Sequence, residues 1–299
     1  MEKQPLVSVI VVSYNAEKTV LETLDSVLRQ TYQNVELVLS DDCSKDNTVQ
    51  VARKWFDEHS TAFKGGAHLL TAEQNQGVCA NFNKAIRSAK GEWIKIIAAD
   101  DILLPNCCTD YVEFSDAHPE AHFISSYLAM YDSTFTEGKC LEKQYSARNL
   151  SIFDKNCEEQ LKKMVYQIFV TAPSMFFSKK VFLEVNGFNE RYSYEDHPFY
   201  VNLLEHGYKL YFMPKVTAGY RVHNSMFNSQ EKLFSYKFSL SSKQFRKECC
   251  FKYYNWRQKL ACKLYYSFLT TLEKLHLNKK TKVSSVIYDG IVGLIWRIG

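Results

Sequence analysis

Two pairs of adjacent carboxylates are the residues whose types and positions in this sequence predict chemistry. Asp41-Asp42 and Asp100-Asp101 each come directly after an apolar segment. Adjacent acids repel each other unless a cation lies between them, and a divalent metal that bridges phosphates is the usual cation. The sequence therefore predicts a metal-dependent site for a phosphorylated ligand.

The elements that must position these carboxylates alternate between strand and helix. Predicted strands at 6–12, 35–40 and 67–71, and a fourth that ends before Asp100, are separated by helices with apolar residues at helical spacing. This alternation predicts an α/β fold with a doubly wound, mostly parallel sheet and right-handed crossovers. Ligands bind at the carboxyl ends of the strands in such sheets, so both acidic pairs are expected on one rim.

The chain after residue 105 has a looser pattern. The polar segment 131–156 is predicted to be a loop over the site. Segment 171–177 is predicted to be an edge strand because its proline cannot donate to a ladder. The other predicted elements are helices at 107–118, 157–168, 179–185 and 198–206, and strands at 123–130, 208–213 and 217–223.

Composition restricts the class of protein. The 299 residues are 46% hydrophobic and 23% charged, which is enough for a sizeable core. No apolar run approaches the roughly 20 residues of a spanning helix, and the start of the chain has no secretory pattern. The nine cysteines form no C-x-x-C pair, so we expect reduced thiols and a cytoplasmic protein. Both common glycine-rich phosphate loops are missing from the sequence, which favours a metal as the phosphate ligand.

Positive charge is concentrated in the last quarter of the chain. Residues 226–299 carry 14 Lys and Arg against 4 Asp and Glu, a net charge of +10, whereas residues 1–225 carry −6. A basic, aromatic segment favours a polyanionic surface, either membrane headgroups or nucleic acid. An apolar stripe in it fits core packing or a membrane face; it comprises Trp256, Leu260, Leu264, Phe268, Leu272 and Leu275. We expect peripheral contact with the inner face of the membrane and no nucleic-acid partner, since no motif accompanies the charge.

Five sequence blocks, taken in order, identify a family resemblance. The blocks are Val7–Asn15, Asp41–Ser44, Asn75–Asn83, Ala98–Asp101, and Gly187-Phe188 with Glu195-Asp196. In this order and spacing they resemble the family 2 glycosyltransferases of the GT-A fold, especially the bacterial members that build surface polysaccharides. The resemblance implies a GT-A domain at 1–225, with a nucleotide-sugar-binding half at 1–105 and an acceptor half at 106–225, followed by a helical extension at 226–299.

The resemblance also implies roles for individual residues. The implied nucleotide-binding residues are Val12, Ser13, Tyr14, Asp41, Asp42, Asn75, Gly77 and Asp100. Asp42 would hydrogen-bond the base and Asp41 would support its loop. The implied ligands of Mg²⁺ or Mn²⁺ are Asp100, Asp101 and, in the motif Tyr220-Arg221-Val222-His223, His223.

The catalytic base that the resemblance implies is Asp196, with Glu195 as the second candidate. Asp196 also fits a helix N-cap ahead of Pro198, and that alternative stays open. Two residues depart from the family pattern. Ala98 stands where the Asp-x-Asp-Asp form of the metal motif has its first acid, which predicts weakened metal binding. Cys43 stands where glycine is common, which predicts a different backbone for that loop.

The sequence thus predicts an inverting glycosyltransferase. It would move a hexose from a UDP-sugar, with a dTDP-sugar as the alternative donor, to a lipid-linked saccharide in capsule or O-antigen synthesis. A nucleotidyltransferase is one alternative, although no glycine-rich basic loop follows the first strand. A second alternative, motivated by Ala98, is a degenerate subunit that binds a nucleotide or a partner glycosyltransferase.

Overall fold

The structure of the protein, a computed structural model, describes residues 4–145, 150–222 and 231–299. The chain divides into two compact units. The sheet unit comprises residues 1–190 and 195–221, and the helical unit comprises residues 191–194 and 222–299. His223, one of the predicted metal ligands, lies outside the described residues.

Four parallel strands begin the sheet unit. They are β1 (Val7–Ser13), β2 (Val35–Asp41), β3 (Ala67–Thr71) and β4 (Trp93–Ala98), joined by the helices α1 (Val20–Leu28), α2 (Thr48–His59) and α3 (Val78–Ser88). Their order in the sheet is β3-β2-β1-β4. β1 and β2 are buried along their whole length, as strands in the interior of a parallel sheet are. The register pairs Ser13 with Asp41 and Val12 with Ala98, so these strands end level with one another.

The rest of this unit consists of strands that extend the same sheet beyond β4 and of the helices between them in the chain. They are β5 (Ile102–Leu103), α4 (Cys107–Ala117), β6 (Phe123–Tyr131), β7 (Cys140–Tyr145), α5 (Cys157–Met164), β8 (Phe176–Ser178), α6 (Lys179–Glu184), α7 (Asp196–Glu205) and β9 (Tyr211–Arg221). The order continues β4-β8-β6-β9-β5, with β7 paired to β6. The antiparallel pairing of Ile102 with Gly219 brings the end of β9 next to the turn that follows β4. The predicted mostly parallel α/β sheet is confirmed.

The predicted edge strand at 171–177 is wrong. Ala172–Ser174 form a 3-10 turn, and β8 begins only at Phe176. β8 lies in the interior of the sheet, between β4 and β6. The proline of this segment lies in the turn, so it does not limit the strand to an edge.

Two buried side chains account for this turn. Lys95 on β4 donates from Nζ to the carbonyl of Pro173 at 2.6 Å and to that of Met175 at 3.3 Å. The hydroxyl of Tyr111 donates to the carbonyl of Ser174 at 2.6 Å. Because these side chains satisfy the carbonyls, the backbone needs no neighbouring strand there.

Other element boundaries also differ from the predictions. The predicted loop at 131–156 contains β7, a mostly exposed strand whose polar residues give no apolar alternation. The two strands predicted at 208–213 and 217–223 are one strand, β9, with a register shift opposite Ser126 and Tyr127. That irregularity accommodates Pro214, which cannot donate to the ladder.

Two helix boundaries also move. The helix predicted from Pro198 begins at Asp196. This is compatible with the proline because the first N–H groups of a helix have no intrahelical partner. The helix predicted at 157–168 ends at Met164.

The described part of the helical unit confirms the predicted helical extension. It contains α8 (Tyr236–Phe245), continued by a π-helical turn at Arg246–Cys250, then α9 (Trp256–Lys274) and α10 (Lys282–Ile298). Both α9 and α10 begin with capping boxes. Within the described residues, none of the helices combines the length and apolar character needed to cross a bilayer. Four side chains of the predicted stripe are exposed, Trp256, Leu260, Leu264 and Leu275, so these four do not form a core.

Candidate active site at the carboxyl edge of the sheet

Asp41, at the end of β2, holds the loop that follows the strand. Its Oδ2 accepts hydrogen bonds from the hydroxyls of Ser13 at 2.8 Å and Ser44 at 2.5 Å. Its Oδ1 accepts the backbone N–H of Ser44 at 2.8 Å. The side chain is buried, and these contacts fit the supporting role that the resemblance implies.

Asp42 connects this loop to the start of α3. Its two carboxylate oxygens accept the backbone N–H groups of Gln76 and Gly77, each at 2.8 Å. The side-chain amide of Asn75 donates to the Asp42 carbonyl at 3.3 Å. Gly77 has a φ of +91°, which favours glycine. Each oxygen of Asp42 has a second lone pair and could accept a further hydrogen bond from a nucleotide base.

The end of β1 contributes three predicted nucleotide-binding residues. Val12 and Ser13 are buried, whereas half of the Tyr14 side chain is exposed. The turn is fixed by Asn15, whose backbone N–H donates to Ser44 Oγ at 2.8 Å. Tyr14 therefore presents a ring on which a base could stack, while Val12 and Ser13 shape the edge behind it.

Cys43 keeps the backbone that glycine would adopt. Its φ is +63°, in the left-handed region. Its Sγ lies 3.3 Å from the Glu73 carbonyl and 3.1 Å from Lys45 Nζ. The structure therefore does not show the unusual backbone expected from the absence of glycine.

Asp100 and Asp101, called the β4 pair below, are held by the end of β9. The backbone N–H of Arg221 donates to Asp101 Oδ1 at 2.8 Å, and Arg221 Nε donates to the Asp100 carbonyl at 2.8 Å. The guanidinium also forms an ion pair of 2.5 Å with Glu22 on α1. It lies 4.4 Å from the centre of the Phe135 ring. Arg221 thus joins the acidic turn to two other elements.

The electrostatics of the β4 pair favour a cation. Burial and the charge of Asp100 raise the pKa of Asp101 well above its usual value, although Arg221 and Lys95 lower it in part. A divalent cation would relieve this repulsion, and carboxylate oxygens are ligands that Mg²⁺ and Mn²⁺ prefer. Among the residues described, no cluster of three or more potential metal ligands occurs. Phosphate and water oxygens would therefore have to complete the coordination, and Ala98 supplies no ligand.

Glu195 and Asp196, called the α7 pair below, lie at the start of α7. Glu195 occupies the N-cap position, so the structure does not bear out the N-cap alternative that was left open for Asp196. Asp196 is the first helical residue, and its Oδ1 accepts the backbone N–H of His197 at 2.6 Å. Burial and the charge of Asp196 raise the pKa of Glu195 to about 8, and burial raises the pKa of Asp196 to about 6. These values suit a general base that works near neutral pH.

The phenol of Tyr220 on β9 is affected by charges of both the β4 pair and the α7 pair. Burial, and to a smaller extent the charges of Asp101, Asp100 and Asp196, raise the pKa of Tyr220 to about 12. The phenol is therefore within electrostatic range of both pairs. Cys79, in the first turn of α3, is similarly affected by the α7 pair, since burial and those charges raise its pKa. The start of α3, the end of β4 and the start of α7 thus converge.

Sequence reasoning missed Tyr220 and Arg221. Both belong to the motif Tyr220-Arg221-Val222-His223, in which the resemblance implies a role, as a metal ligand, for His223 alone. Arg221 contacts the β4 pair, about 120 positions away in the chain, and Tyr220 is affected by its charges, once β9 has paired with β5. Their membership of that motif was the one signal that could have identified them.

This fold and this site define a class. A mostly parallel sheet with carboxylates at the ends of β2 and β4, and a third acidic pair at α7, is the arrangement of a GT-A glycosyltransferase. The sequence model described as Glycosyl transferase family 2 matches residues 8–185. The chain belongs to this family, which confirms the predicted family and the predicted enzyme class. The match favours a glycosyltransferase over the nucleotidyltransferase alternative.

Several curated relatives resemble the chain over different lengths. The putative glycosyltransferase EpsE of Bacillus subtilis is 30% identical over 138 residues, 46% of this chain and 48% of EpsE. The putative teichuronic acid biosynthesis glycosyltransferase TuaG of the same organism is 26% identical over 230 residues, 76% of this chain and 83% of TuaG. WfgD of Escherichia coli, a UDP-Glc:α-D-GlcNAc-diphosphoundecaprenol β-1,3-glucosyltransferase, is 40% identical over 101 residues, 34% of this chain and 37% of WfgD. The chain thus spans about half the length of EpsE.

Two solved structures share the fold. Residues 1–349 of TarS from S. aureus, in complex with UDP-GlcNAc, superpose with a TM-score of 0.60 and 20% identity, over 80% of this chain and 65% of that one. The mannosyltransferase PcManGT of Pyrobaculum calidifontis, in complex with GDP-Man and Mn²⁺, gives a TM-score of 0.57 and 18% identity, over 82% of this chain and 64% of that one. The predicted GT-A fold is confirmed.

Proposed function

We propose that this glycosyltransferase moves a hexose from a UDP-sugar to a saccharide acceptor, with inversion at the anomeric carbon. The observation that carries the proposal is that both acidic pairs act on the phenol of Tyr220, since the charges of Asp101, Asp100 and Asp196 help to raise its pKa. One pair has the raised pKa values of a general base, and the other has the oxygen donors of a diphosphate-binding metal site. A single direct displacement needs a general base and a metal-bound diphosphate at one site.

The donor would bind at the ends of β1 and β2. Asp42 would accept a hydrogen bond from the uracil N–H while its backbone partners Gln76 and Gly77 hold the carboxylate in place. Tyr14 would stack on the base. A UDP-sugar is supported by the complex of TarS with UDP-GlcNAc and by the UDP-Glc in the name of WfgD. A dTDP-sugar, which also has a pyrimidine N–H, is the alternative donor.

The transfer would follow from the charges at the site. Asp196 accepts the proton of the acceptor hydroxyl while the oxygen of that hydroxyl bonds to the anomeric carbon. At the same time the bond from the anomeric carbon to the diphosphate oxygen breaks, and UDP leaves. Glu195 keeps its proton near neutral pH, which limits the negative charge of the pair. Mg²⁺ or Mn²⁺ held by Asp100 and Asp101 would neutralise charge on the departing diphosphate.

The acceptor would be lipid-linked, as an intermediate of capsule or O-antigen synthesis at the inner face of the membrane. The net charge of +10 in residues 226–299 favours an anionic membrane surface. The name of WfgD specifies a diphosphoundecaprenol-linked acceptor, and TuaG is named for teichuronic acid biosynthesis. Within this proposal, residues 1–225 perform the transfer, divided into a donor half at 1–105 and an acceptor half at 106–225, and residues 226–299 locate the enzyme at the membrane.

The test is transfer of labelled hexose from UDP-glucose, UDP-galactose and UDP-GlcNAc to synthetic polyprenyl-diphosphate sugars, with the new linkage assigned by NMR. We expect one donor to be used with inversion. Asp196→Asn and Asp100→Ala should abolish transfer, whereas Asp132→Asn, at an exposed surface ion pair, should retain it. Full transfer by both site variants, or retention of the anomeric configuration, would overturn the proposal.

A further inference from the structure

Helix α10 is apolar on two opposite sides. On one side, the ring of Tyr288 stacks against Phe268 of α9 at 6.1 Å and against Phe234 at 6.0 Å. Trp296 lies 5.4 Å from Tyr265 of α9. These contacts anchor α10 within the helical unit, so the opposite side faces outward.

The outward side of α10, called the α10 face, carries large exposed aliphatic side chains. They are Val283 (70% exposed), Val286 (74%), Ile287 (56%), Leu294 (62%) and Ile298 (40%). At 100° per residue these positions, with Gly290 and Gly293 between them, fall on one half of the helix. A surface helix normally presents polar residues to water, and a contiguous exposed apolar patch indicates a binding surface.

The charges around the α10 face identify the partner. Lys279, Lys280 and Lys282 lie at its first end and Arg297 at its last, and Asp289, the acid within Lys282–Ile298, lies at 100° per residue on the side of Trp296 and not on the α10 face. Residues 226–299 have a net charge of +10. A flat apolar strip with Lys and Arg at its ends matches an anionic lipid surface, because aliphatic side chains enter the acyl boundary while ammonium groups bind headgroup phosphates.

A second exposed strip lies at one end of α10. Trp256 is 69% exposed and is followed one and two turns later on α9 by Leu260 and Leu264. Gly299 lies against Gln258, since a Cβ added to it would be 3.3 Å from the Gln258 Cα. The last residues of α10 therefore lie beside the first turn of α9, where Trp256 is exposed. Tryptophan favours the level of lipid headgroups.

We propose that the α10 face docks this protein on an anionic membrane, with α10 lying in the plane of the interface. A helix of 17 residues is too short to span the bilayer comfortably but is long enough to lie on it. The inference deepens the proposed function, on which it rests for its biological purpose, by naming the surface that would bring the enzyme to a lipid-linked acceptor.

The experiment is co-sedimentation of the full chain with vesicles, with neither donor nor acceptor present, so its failure is distinct from failure of the transferase proposal. One set of vesicles contains phosphatidylglycerol and phosphatidylcholine in equal amounts, and the other contains phosphatidylcholine alone. We expect binding to the first set that exceeds binding to the second by about tenfold or more, since several basic residues act together. Equal binding to both sets, or no binding of the wild-type chain, would overturn the inference.

Variants of exposed residues make the test specific. Val286→Glu with Leu294→Glu should lower binding to the anionic vesicles by about tenfold or more, because two charges would enter the acyl boundary. The matched control is Leu141→Glu on β7, a residue that is 61% exposed, and it should bind as the wild type does. Equal binding of the double variant and the control would contradict the α10 face as the docking site.

A third variant and one further measurement complete the design. Replacing Lys279, Lys280 and Lys282 with Gln keeps the apolar strip and should weaken binding to the anionic vesicles alone.

Light scattering reports whether the α10 face instead joins two copies of the chain. A wild-type dimer that Val286→Glu with Leu294→Glu converts to a monomer, without vesicle binding by either, would overturn the membrane inference.

Discussion

The backbone N–H of Arg221 donates a hydrogen bond of 2.8 Å to Oδ1 of Asp101, across 120 positions of the chain. The side chain of the same arginine donates to the carbonyl of Asp100 and pairs with Glu22 on α1. This contact fixes one carboxylate oxygen of the proposed metal site, while burial and repulsion hold the pKa of Asp101 above its usual value. The end of β9 thus sets the geometry at the end of β4.

Replacement of Arg221 should therefore weaken metal-dependent donor binding. In Arg221→Lys the ammonium cannot reproduce the planar fork that contacts Asp100 and Glu22 together. We expect the affinity for UDP in Mn²⁺ to fall by about tenfold, and the free energy of unfolding to fall by about 1–3 kcal/mol. Calorimetry and denaturant unfolding measure the two effects. Lys215→Met removes another paired cation of β9, one that contacts Asp110, and it should leave UDP affinity unchanged; equal losses in both variants would contradict the account.

Gly77 should be required for donor binding beyond its contribution to stability. Gly77→Ala places a Cβ at a φ of +91° and a ψ of 161°, a region that is essentially restricted to glycine, with open space around it, at a cost of about 1–3 kcal/mol. Relief of that strain would move the backbone N–H that Asp42 binds. Gly207→Ala is the matched control, since Gly207 has a φ of +84° and equal space. Both variants should lose similar stability in thermal unfolding, but KM for the donor should rise in Gly77→Ala alone. An unchanged KM in Gly77→Ala would show that the Asp42 contact does not shape the donor site.

Asp196→Asn should lower kcat by about 10²–10⁴, the usual contribution of a general base. In the wild type, kcat/KM should rise with pH over roughly one unit on either side of about 6 and then level off, because Asp196 acts as the base in its ionised form and burial raises its pKa to about 6. A stopped assay of hexose transfer across this range measures both effects. A kcat/KM that is flat or falls over this range would contradict a carboxylate base.

The α7 pair should also destabilise the folded protein at high pH. The folded-state pKa of Glu195, about 8, exceeds its ordinary value of 4.5, so between these two pH values the folded state binds more protons than the unfolded state. Stability from this group is therefore complete below pH 4.5 and is lost as the pH rises to about 8. Glu195→Gln removes this dependence on pH. The Tm of the variant minus the Tm of the wild type should therefore become more positive as the pH rises from 4.5 to about 8. Glu142→Gln, an exposed residue of β7, provides the control; a Tm difference that stays constant for Glu195→Gln would mean that burial does not penalise its charge.

The first half of the fold could be predicted because its local patterns and its pairing agree. The strands β1, β2 and β4 are short apolar runs between amphipathic helices, and a parallel sheet is what such alternation must form. The level ends of these strands then follow, which placed Asp41, Asp42, Asp100 and Asp101 on one edge. The acidic character of that edge was therefore available from the sequence.

The second half could not be predicted because distant side chains determine its backbone. Lys95 lies in a run that indicates a fully apolar strand, yet its ammonium binds carbonyls almost 80 positions away and fixes the 3-10 turn before β8. Periodicity reports burial and gives no information about such partners. The same limit concealed Arg221, whose contacts with the β4 pair exist only after β9 has paired with β5, and Tyr220, which the charges of that pair affect.

The most direct test of the central claim is calorimetric titration with UDP, GDP and dTDP, each with Mn²⁺ and with a chelator. The account predicts that UDP binds with Mn²⁺, that the chelator abolishes or strongly weakens this binding, and that Asp100→Asn with Asp101→Asn loses it in a folded protein. Asp132→Asn, whose side chain lies exposed in an ion pair with Lys139, should bind as the wild type does. Binding of UDP that is equal with and without metal, or the absence of nucleotide binding by folded protein, would contradict the claim that the β4 pair forms the metal and diphosphate site.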